Sequence, residues 1–319
     1  MPEPIQTMSA MRAVTIDSRG RISIRDVPVP TVGRREVRIA VDAAGVGSWD
    51  AETRPEGRQR FIVPGTDGAG LVVAVGAGVR RFRAGNRVYS SSYGNPKGGF
   101  HAELVVVVET KVARVPRGLG SKEAGAIPVT GLTALQGVDD ALRVKRGECV
   151  IVHGASGGVG TLALQFAKWR GARVLATASG NDGVRLARRL GADVAVDGKR
   201  EDVLEAARRF APGGVDAVLA FVGGKALLRC LDALKPHGGR LAYPNGVADP
   251  PRPRKRKGVE VVAYDATPGV REFARLDRAI GAAKLEVPIA KTYPMDDAAG
   301  AYRFVRKGHI LGKVILRIR

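Results

Sequence analysis

Residues 148–160 read Glu148-Cys149-Val150-Ile151-Val152-His153-Gly154-Ala155-Ser156-Gly157-Gly158-Val159-Gly160. An apolar strand runs into a glycine-rich turn, and apolar residues then recur at positions 159, 162, 163, 166 and 167, the spacing of one helix face. Glycines let the backbone approach a pyrophosphate, whose charge is stabilised at the helix N-terminus. We therefore predict a dinucleotide site, with Gly160 letting the helix pack closely. The expected cofactor-binding residues of this segment are Gly154, Ser156, Gly157, Gly158, Val159 and Gly160.

The chain around this turn alternates between strands and helices. Predicted strands end near Val152, Ala176, Val196, Leu219, Ala242 and Val262. Helical segments lie between them, for example at 184–190, 202–210 and 225–234. Apolar strands that alternate with helices are the sequence form of a doubly wound parallel sheet. We predict a Rossmann domain over residues 128–267.

The first third of the chain is predicted to consist of short strands without long helices between them. Short strands are predicted at 11–15, 21–25, 36–43, 71–75, 87–89 and 101–107, with Gly, Pro or Asn between them. Residues 313–318 alternate in the same way, so the chain is expected to return to its first domain. The predicted fold class is α/β, with a β-rich domain over residues 1–127 and 268–319.

The composition of the chain limits the classes of protein to which it can belong. The chain has 319 residues and is 45% hydrophobic, which indicates a globular protein of about two domains. Two cysteines exclude a disulfide framework and a four-cysteine zinc site. No apolar run approaches the roughly 20 residues of a membrane span, and no secretory signal is evident, so we expect a cytoplasmic protein without membrane contact.

The chain is strongly basic, with 52 Lys and Arg against 31 Asp and Glu and a net charge of +21. Such a surface attracts phosphorylated cofactors and anions generally, and nucleic-acid binding is the less favoured alternative. The most basic run is Pro250-Pro251-Arg252-Pro253-Arg254-Lys255-Arg256-Lys257. It is either a solvated surface loop or a contact for RNA or an acidic partner.

The end of the second predicted strand bears on which dinucleotide binds. NAD sites of this kind usually have an acid there for the ribose 2′-hydroxyl, but this chain reads Thr177-Ala178-Ser179-Gly180. Ser179 offers a hydroxyl, and Arg185 and Lys199 offer cations for a 2′-phosphate. These features favour NADPH, with Thr177 and Ser179 in the site, whereas Asp182 argues against it.

Several segments together resemble the zinc-independent quinone oxidoreductase branch of the medium-chain dehydrogenase/reductase superfamily. Besides Gly154–Gly160, they are 44–50 (AGVGSWD), 64–70 (PGTDGAG), 98–103 (GGFHAE), 129–134 (VTGLTA), 190–193 (LGAD) and 308–313 (GHILGK). The resemblance implies a GroES-like catalytic domain, a Rossmann domain and a cleft between them. It also implies hydride transfer to a quinone or activated alkene, and a homodimer joined through the Rossmann sheet edge at 259–264.

The resemblance also suggests residue roles. Thr130 would lie near the nicotinamide, or else cap a helix. Val222 and Gly223 follow the fourth strand, where family backbone groups hold the carboxamide. Tyr243, Asn245 and Gly246 follow the fifth strand and are expected in the cofactor site. The candidate catalytic residues are Asp50, which orients substrate or caps a short helix, Trp49, a pocket wall or core aromatic, and Tyr93, a possible proton donor.

This chain departs from the pattern of its relatives at several positions. Many members have Asn where Gly47 stands, and the lysine and tyrosine that often meet the 2′-phosphate align with Gly183 and Gly198. The cysteine and His-Glu positions of zinc-dependent relatives read Gly47 and Thr66-Asp67. We therefore expect no metal, and no Lewis acid to ionise a simple alcohol.

The function expected from these observations is NADPH-dependent reduction, without zinc, of a small-molecule quinone or α,β-unsaturated carbonyl compound. The first alternative is reduction of a 2-enoyl thioester or a specialised pathway intermediate. A second is an NADPH-binding protein that contacts RNA or another anion through the basic run, and a third is a crystallin-like structural protein.

Overall fold

The computed structural model describes residues 9–57, 59–247 and 258–319. Two units are present, one rich in antiparallel strands and one built on a parallel sheet, so the predicted α/β class is confirmed. The basic run at 250–257 lies outside the described residues, as does the N-terminal octapeptide.

The β-rich unit consists of two sheets. The larger has the order β15-β16-β3-β5-β6-β8, with β7 also paired to β3, and the smaller has the order β2-β1-β4. Only the β15–β16 pair is parallel in the described part of this unit. The strands are β1 (Ala10–Asp17), β2 (Ile22–Pro28), β3 (Glu36–Val46), β4 (Phe61–Ile62), β5 (Asp67–Val75), β6 (Arg87–Ser91), β7 (Leu104–Val108), β8 (Val112–Arg114), β15 (Ile289–Pro294) and β16 (Lys313–Arg317).

The second unit is the predicted doubly wound sheet. Its order is β11-β10-β9-β12-β13-β14 and all neighbouring strands are parallel. The chain order therefore reverses between β9 and β12, where such sheets bind ligands. The strands are β9 (Cys149–His153), β10 (Arg173–Ala178), β11 (Val194–Asp197), β12 (Ala217–Ala220), β13 (Gly239–Pro244) and β14 (Val259–Tyr264).

Eight α-helices are described. They are α1 (Ser48–Glu52), α2 (Ser121–Gln136), α3 (Gly158–Trp169), α4 (Gly180–Arg189), α5 (Val203–Phe210), α6 (Lys225–Asp232), α7 (Val270–Ala283) and α8 (Ala298–Lys307). A π-helical turn extends α2 over Gly137–Ala141, and short 3-10 turns lie at Glu109–Lys111 and Met295–Asp297. No helix in the described ranges is long and apolar enough to cross a membrane.

The alternation of side chains along β9 explains why helices pack on both faces of the parallel sheet. Successive side chains of a strand point to opposite faces. Val150 and Val152 accordingly pack in the core cluster that contains residues of α3 and α7, whereas Ile151 packs in the cluster that contains residues of α5 and α6. All three are at most 1% exposed. A strand buried on both faces holds the turn that follows it in a fixed position.

The two units are connected by helices as well as by strands. Helix α2 runs across the predicted domain boundary between residues 127 and 128. Phe273 and Leu276 of α7, assigned from sequence to the β-rich domain, pack in the same core cluster as Phe166 of α3. The domain boundaries stay predictions. Strand β14 is an edge of the described parallel sheet, so it has the position expected for a dimer contact, which also stays a prediction.

Candidate functional site

The glycine-rich turn meets the C-terminal segment at the junction of the two units. Gly157 forms a parallel bridge with Gly312, and the Gly312 amide donates a 2.8 Å hydrogen bond to the carbonyl of Ser156. Strand β16 begins at the next residue, Lys313. These contacts form the floor of a cleft of about 510 Å³ that is lined by both units.

Most of the predicted site residues line this cleft. They are Trp49, Thr130, Gly154, Ser156, Gly157, Gly158, Val159, Thr177, Ser179, Lys199, Val222 and Gly223. Further lining residues that the sequence did not single out for the site include Ser48, His153, His309 and Lys313. Residues predicted from the family resemblance and residues predicted from the sequence pattern thus line the same cavity.

Other predicted site residues lie outside the cleft lining. Tyr93 is 74% exposed on the surface. Arg185 is exposed and faces a neighbouring groove that also contains Glu286. Asn245 is exposed, and its side chain donates to Asp265. The remaining residues outside the lining are Asp50, Gly160, Tyr243 and Gly246.

The turn has the backbone that a bound pyrophosphate requires. Gly154 directly follows β9 with a φ of +84°, which favours glycine. A Cβ on Gly160 would lie 2.1 Å from the Gly154 carbonyl oxygen, so α3 approaches the turn as closely as predicted. A Cβ on Gly157 would meet only one atom, at 3.6 Å, because this glycine faces open space. The residues present therefore fit a dinucleotide laid along the turn.

Trp49 is held at the cleft wall by a chain of hydrogen bonds. Its Nε1 donates to Thr66 Oγ1 at 2.9 Å, and that hydroxyl donates to Asp50 Oδ1 at 2.9 Å. The other Asp50 oxygen accepts from the Gly47 amide at 2.7 Å and so caps α1. Asp50 is 2% exposed, so the structure gives it a capping and positioning role.

Gly47 provides the space for Trp49. A Cβ on Gly47 would lie 2.3 Å from Cε2 of the indole. The φ of Gly47 is −107°, which any residue adopts, so the indole and not the backbone excludes a side chain here. In this chain the tryptophan fills the space that a side chain at position 47 would take.

A buried lysine lies beneath the indole. Lys313 Nζ is 4.9 Å from the centroid of the Trp49 ring and 3.9 Å from Asp67 Oδ1. Asp67 Oδ2 accepts a hydrogen bond from the amide of Val129, which follows the helix-interior Pro128 of α2. Burial raises the pKa of Asp67 to about 6, and the charge of Lys313 opposes that shift.

Thr130 lines the cleft from the middle of α2. The alternative interpretation, that Thr130 caps a helix, is wrong, because α2 begins at Ser121 and its N-cap is Gly120. The Thr130 hydroxyl donates to the carbonyl of Ala126, one turn earlier in the helix. That bond fixes the side chain, which is 2% exposed. Its role near the nicotinamide stays a prediction.

His153 ends β9 at the base of the cleft. Its Nδ1 lies 2.6 Å from Thr177 Oγ1, and its Nε2 is buried without a hydrogen-bond partner among the described residues. Burial lowers the pKa of His153 to about 4, so the imidazole is neutral at physiological pH. A neutral imidazole at this position offers a polar atom without adding charge to the cleft.

The far end of the cleft brings a histidine against the second strand. His309 Nδ1 lies 2.9 Å from Ser179 Oγ, and its Nε2 lies 3.0 Å from Asp182 Oδ2. Lys199 lines the same end. The pKa of Asp182 is lowered, chiefly by the hydrogen bond from His309. The sequence did not indicate that His309 reaches this strand.

The charge of the cleft favours an anion. Among the described residues that line it, two are lysines and none is Asp or Glu. No group of three His, Cys, Asp or Glu side chains in the described ranges is placed to hold a metal ion. Cys230 is buried in the core, which raises the pKa of its thiol to about 12.

Comparison with known proteins identifies the family of the chain. Residues 33–117 match the alcohol dehydrogenase GroES-like domain, and residues 190–316 match the zinc-binding dehydrogenase family. The quinone oxidoreductase of Sus scrofa is 30% identical and covers 97% of each chain. The chain belongs to the zinc-independent quinone oxidoreductase branch of the medium-chain dehydrogenase/reductase superfamily. It is therefore an oxidoreductase of that superfamily.

Other members of the superfamily are similarly close. A 2-haloacrylate reductase from a Burkholderia species is 29% identical over 91% of this chain and 93% of its own. A mycobacterial protein complexed with NADPH superposes with a TM-score of 0.86 at 30% identity, covering 97% of this chain and 100% of that one. An NAD-dependent alcohol dehydrogenase superposes with a TM-score of 0.88 at 31% identity, with the same coverage.

Proposed function

We propose that this oxidoreductase uses NADPH to reduce a quinone or an α,β-unsaturated carbonyl compound without zinc. The observation that carries the proposal is the cleft itself: a glycine-rich turn and two lysines line one cavity between the units, and none of its described lining residues is a carboxylate. Such a lining suits a phosphorylated cofactor. The similarity to a quinone oxidoreductase and a 2-haloacrylate reductase supports the acceptor class.

Different residues of the cleft would hold different parts of the cofactor. Gly154, Gly157 and Gly158 would hold the pyrophosphate, and Ser179 lies at the adenosine end. Thr130, Val222 and Gly223 also line the cleft, and we assign the nicotinamide to these residues and Trp49. When bound, the nicotinamide supplies a hydride to an electron-poor acceptor.

The cleft promotes the reaction mainly by positioning the acceptor beside the cofactor, and less by acid–base catalysis. Trp49 provides an apolar wall whose orientation is fixed through Thr66 and Asp50. A fixed wall lowers the entropy cost of aligning acceptor and cofactor. Tyr93 is proposed no further as a proton donor, because its exposed side chain does not line the cleft. Solvent protonates the reduced product.

The test is steady-state oxidation of NADPH and NADH with a panel of acceptors. The panel contains 1,2-naphthoquinone, an enone, 2-chloroacrylate and crotonyl thioester, so that the enoyl thioester alternative is tested together with the main proposal. We expect turnover with a quinone or enone and NADPH. Turnover confined to the thioester would favour the alternative, and binding of NADPH without turnover on any acceptor would refute the enzymatic proposal.

The assignment of acceptor contacts is tested with Trp49→Ala. This variant removes the wall but leaves the glycine turn and the adenosine end intact, so KM for the quinone should rise by a larger factor than the Kd for NADPH, which loses only the contact of its nicotinamide with the indole. An equal loss of both affinities would mean that Trp49 supports the whole cleft and does not contact the acceptor.

A further inference from the structure

One side chain crosses from the β-rich unit to the adenosine end of the cleft. His309 lies between α8 and β16, and its imidazole meets Ser179 and Asp182 of the Rossmann unit at 2.9 and 3.0 Å. The backbone of His309 has a φ of +52°, which is uncommon for a residue other than glycine. This left-handed turn directs the imidazole toward β10.

Ser179 marks the point at which a dinucleotide site distinguishes its ligands. It is the N-cap of α4, directly after β10, where sheets of this kind contact the ribose 2′ position. Ser179 and Lys199 both line the cleft there, and Lys199 is exposed. Arg185 faces the neighbouring groove, which Asp182 also lines, so Asp182 meets the cleft through its contact with His309.

Two carboxylates near this position are already engaged. Asp182 Oδ1 accepts from the Gly183 amide at 2.9 Å, and Oδ2 pairs with His309. Asp197 is 4% exposed and accepts from the backbone amides of Gly180 and Lys199 at 3.1 and 3.0 Å. The half-exposed Asp182 is therefore the carboxylate that would repel a 2′-phosphate, and His309 is the side chain that hydrogen-bonds it.

We propose that His309 determines the choice of cofactor: it neutralises Asp182 and, with Ser179 and Lys199, binds the 2′-phosphate of NADPH. This inference rests on the proposed function. In its protonated form the imidazole can donate from Nε2 to Asp182 and from Nδ1, which lies 2.9 Å from Ser179 Oγ, to a phosphate that takes the place of the Ser179 contact. Without the imidazole, Asp182 would repel the 2′-phosphate and tolerate the 2′-hydroxyl of NADH.

The test measures binding of 2′,5′-ADP and 5′-AMP by calorimetry, which requires no acceptor and no turnover. His309→Asn keeps a residue that tolerates a positive φ but removes the imidazole. We expect the affinity for 2′,5′-ADP to fall about 10- to 100-fold, the loss of one charge-assisted hydrogen bond. The affinity for 5′-AMP should stay within about twofold, because its 2′-hydroxyl is uncharged and is not repelled by Asp182.

Two further variants serve as controls for the His309→Asn measurement. His237→Asn changes an exposed histidine outside the cleft lining and should alter neither affinity. Adding Asp182→Asn to His309→Asn should recover at least part of the 2′,5′-ADP affinity, because the unpaired carboxylate is removed. Recovery of the 2′,5′-ADP affinity in the double variant would show that His309 acts by compensating the charge of Asp182 and not only by supporting the structure.

The outcomes also separate this inference from the proposed function. If wild type binds 2′,5′-ADP no better than 5′-AMP, the proposal of NADPH fails and the role of His309 fails with it. If wild type discriminates and His309→Asn discriminates equally, His309 is not the determinant, and loss of discrimination in Arg185→Ala would assign it to Arg185. An equal fall in both affinities would also overturn the inference.

Discussion

Lys313 Nζ lies 3.9 Å from Asp67 Oδ1, and neither atom has a hydrogen-bond partner among the described residues. Their side chains are 6% and 0% exposed. Two opposite charges are thus buried close together without the hydrogen bonds that usually offset desolvation. The pair joins β16 to β5 directly beneath Trp49, so it supports the wall of the cleft from within the β-rich unit.

Lys313→Met should destabilise the protein, because it leaves the buried Asp67 carboxylate without its counter-charge. Breaking a buried pair costs about 3–5 kcal/mol, and urea unfolding at pH 7 would measure the loss. Lys307→Met is the control, since this exposed lysine of α8 should contribute less than about 0.5 kcal/mol. Addition of Asp67→Asn should recover more than half of the loss, and a stable single variant would show that the pair contributes nothing.

Asp67→Asn should change how stability depends on pH. The pKa of Asp67 is about 6 in the folded protein and 3.8 without the fold, so folding favours the protonated carboxyl. This contribution is complete below about pH 4 and is lost as the pH rises through 6. A shift of about two units is worth about 3 kcal/mol.

The measurement is the unfolding free energy of wild type and Asp67→Asn at intervals between pH 4 and pH 7. The stability of the variant relative to wild type should increase over this range by about 2.4 kcal/mol, most of the total, because pH 4 lies just above the pKa of the unfolded carboxyl. A difference that is constant over this range would mean that the carboxyl titrates alike in the folded and unfolded chains.

Two glycines of the turn should respond differently to the same substitution. Gly160→Ala places a Cβ 2.1 Å from the Gly154 carbonyl oxygen, so the backbone must shift, at a cost of about 1–3 kcal/mol. Gly157→Ala meets only one atom, at 3.6 Å, and should fold normally. Its methyl group projects into the cleft, so it should instead weaken NADPH binding, measured as Kd. Equal thermal stability of the two variants would contradict this division.

The glycine turn and the parallel sheet were predictable because their signals are local. A strand, a turn and a helix within residues 148–167 define the turn by period and glycine placement, and the alternation of apolar strands with helices up to Val262 defines the sheet. The same holds for the strands of the β-rich unit, although α2 crosses a boundary that the sequence placed between residues 127 and 128.

The contacts that complete the site are distant in sequence, and no spacing indicates them. Ser179 and His309 are 130 residues apart, and their contact depends on the left-handed turn at His309. Lys313 was visible as part of a family segment, but its burial against Asp67 follows from the pairing of β16 beside β3 and β5. Arg185 illustrates the converse: its place in the chain suggested the cofactor site, whereas the rotation of α4 turns it to the neighbouring groove.

Gly47→Asn should expel the Trp49 indole, because a Cβ at position 47 would lie 2.3 Å from Cε2 of the ring. The indole would lose its hydrogen bond to Thr66, worth about 1 kcal/mol, and its position over Lys313. The chain has two tryptophans, so the variant is made with Trp169→Phe, which leaves Trp49 as the one indole fluorophore.

The emission of Trp49 should then move to longer wavelength, and iodide should quench it more strongly, because the displaced indole meets water. Gly213→Asn in the same background is the control, since no atom lies within 4 Å of a Cβ at that position. The control should leave the emission unchanged. Unchanged emission in Gly47→Asn would mean that an asparagine and the indole fit side by side, and that the glycine at position 47 is not what allows Trp49 to form the cleft wall.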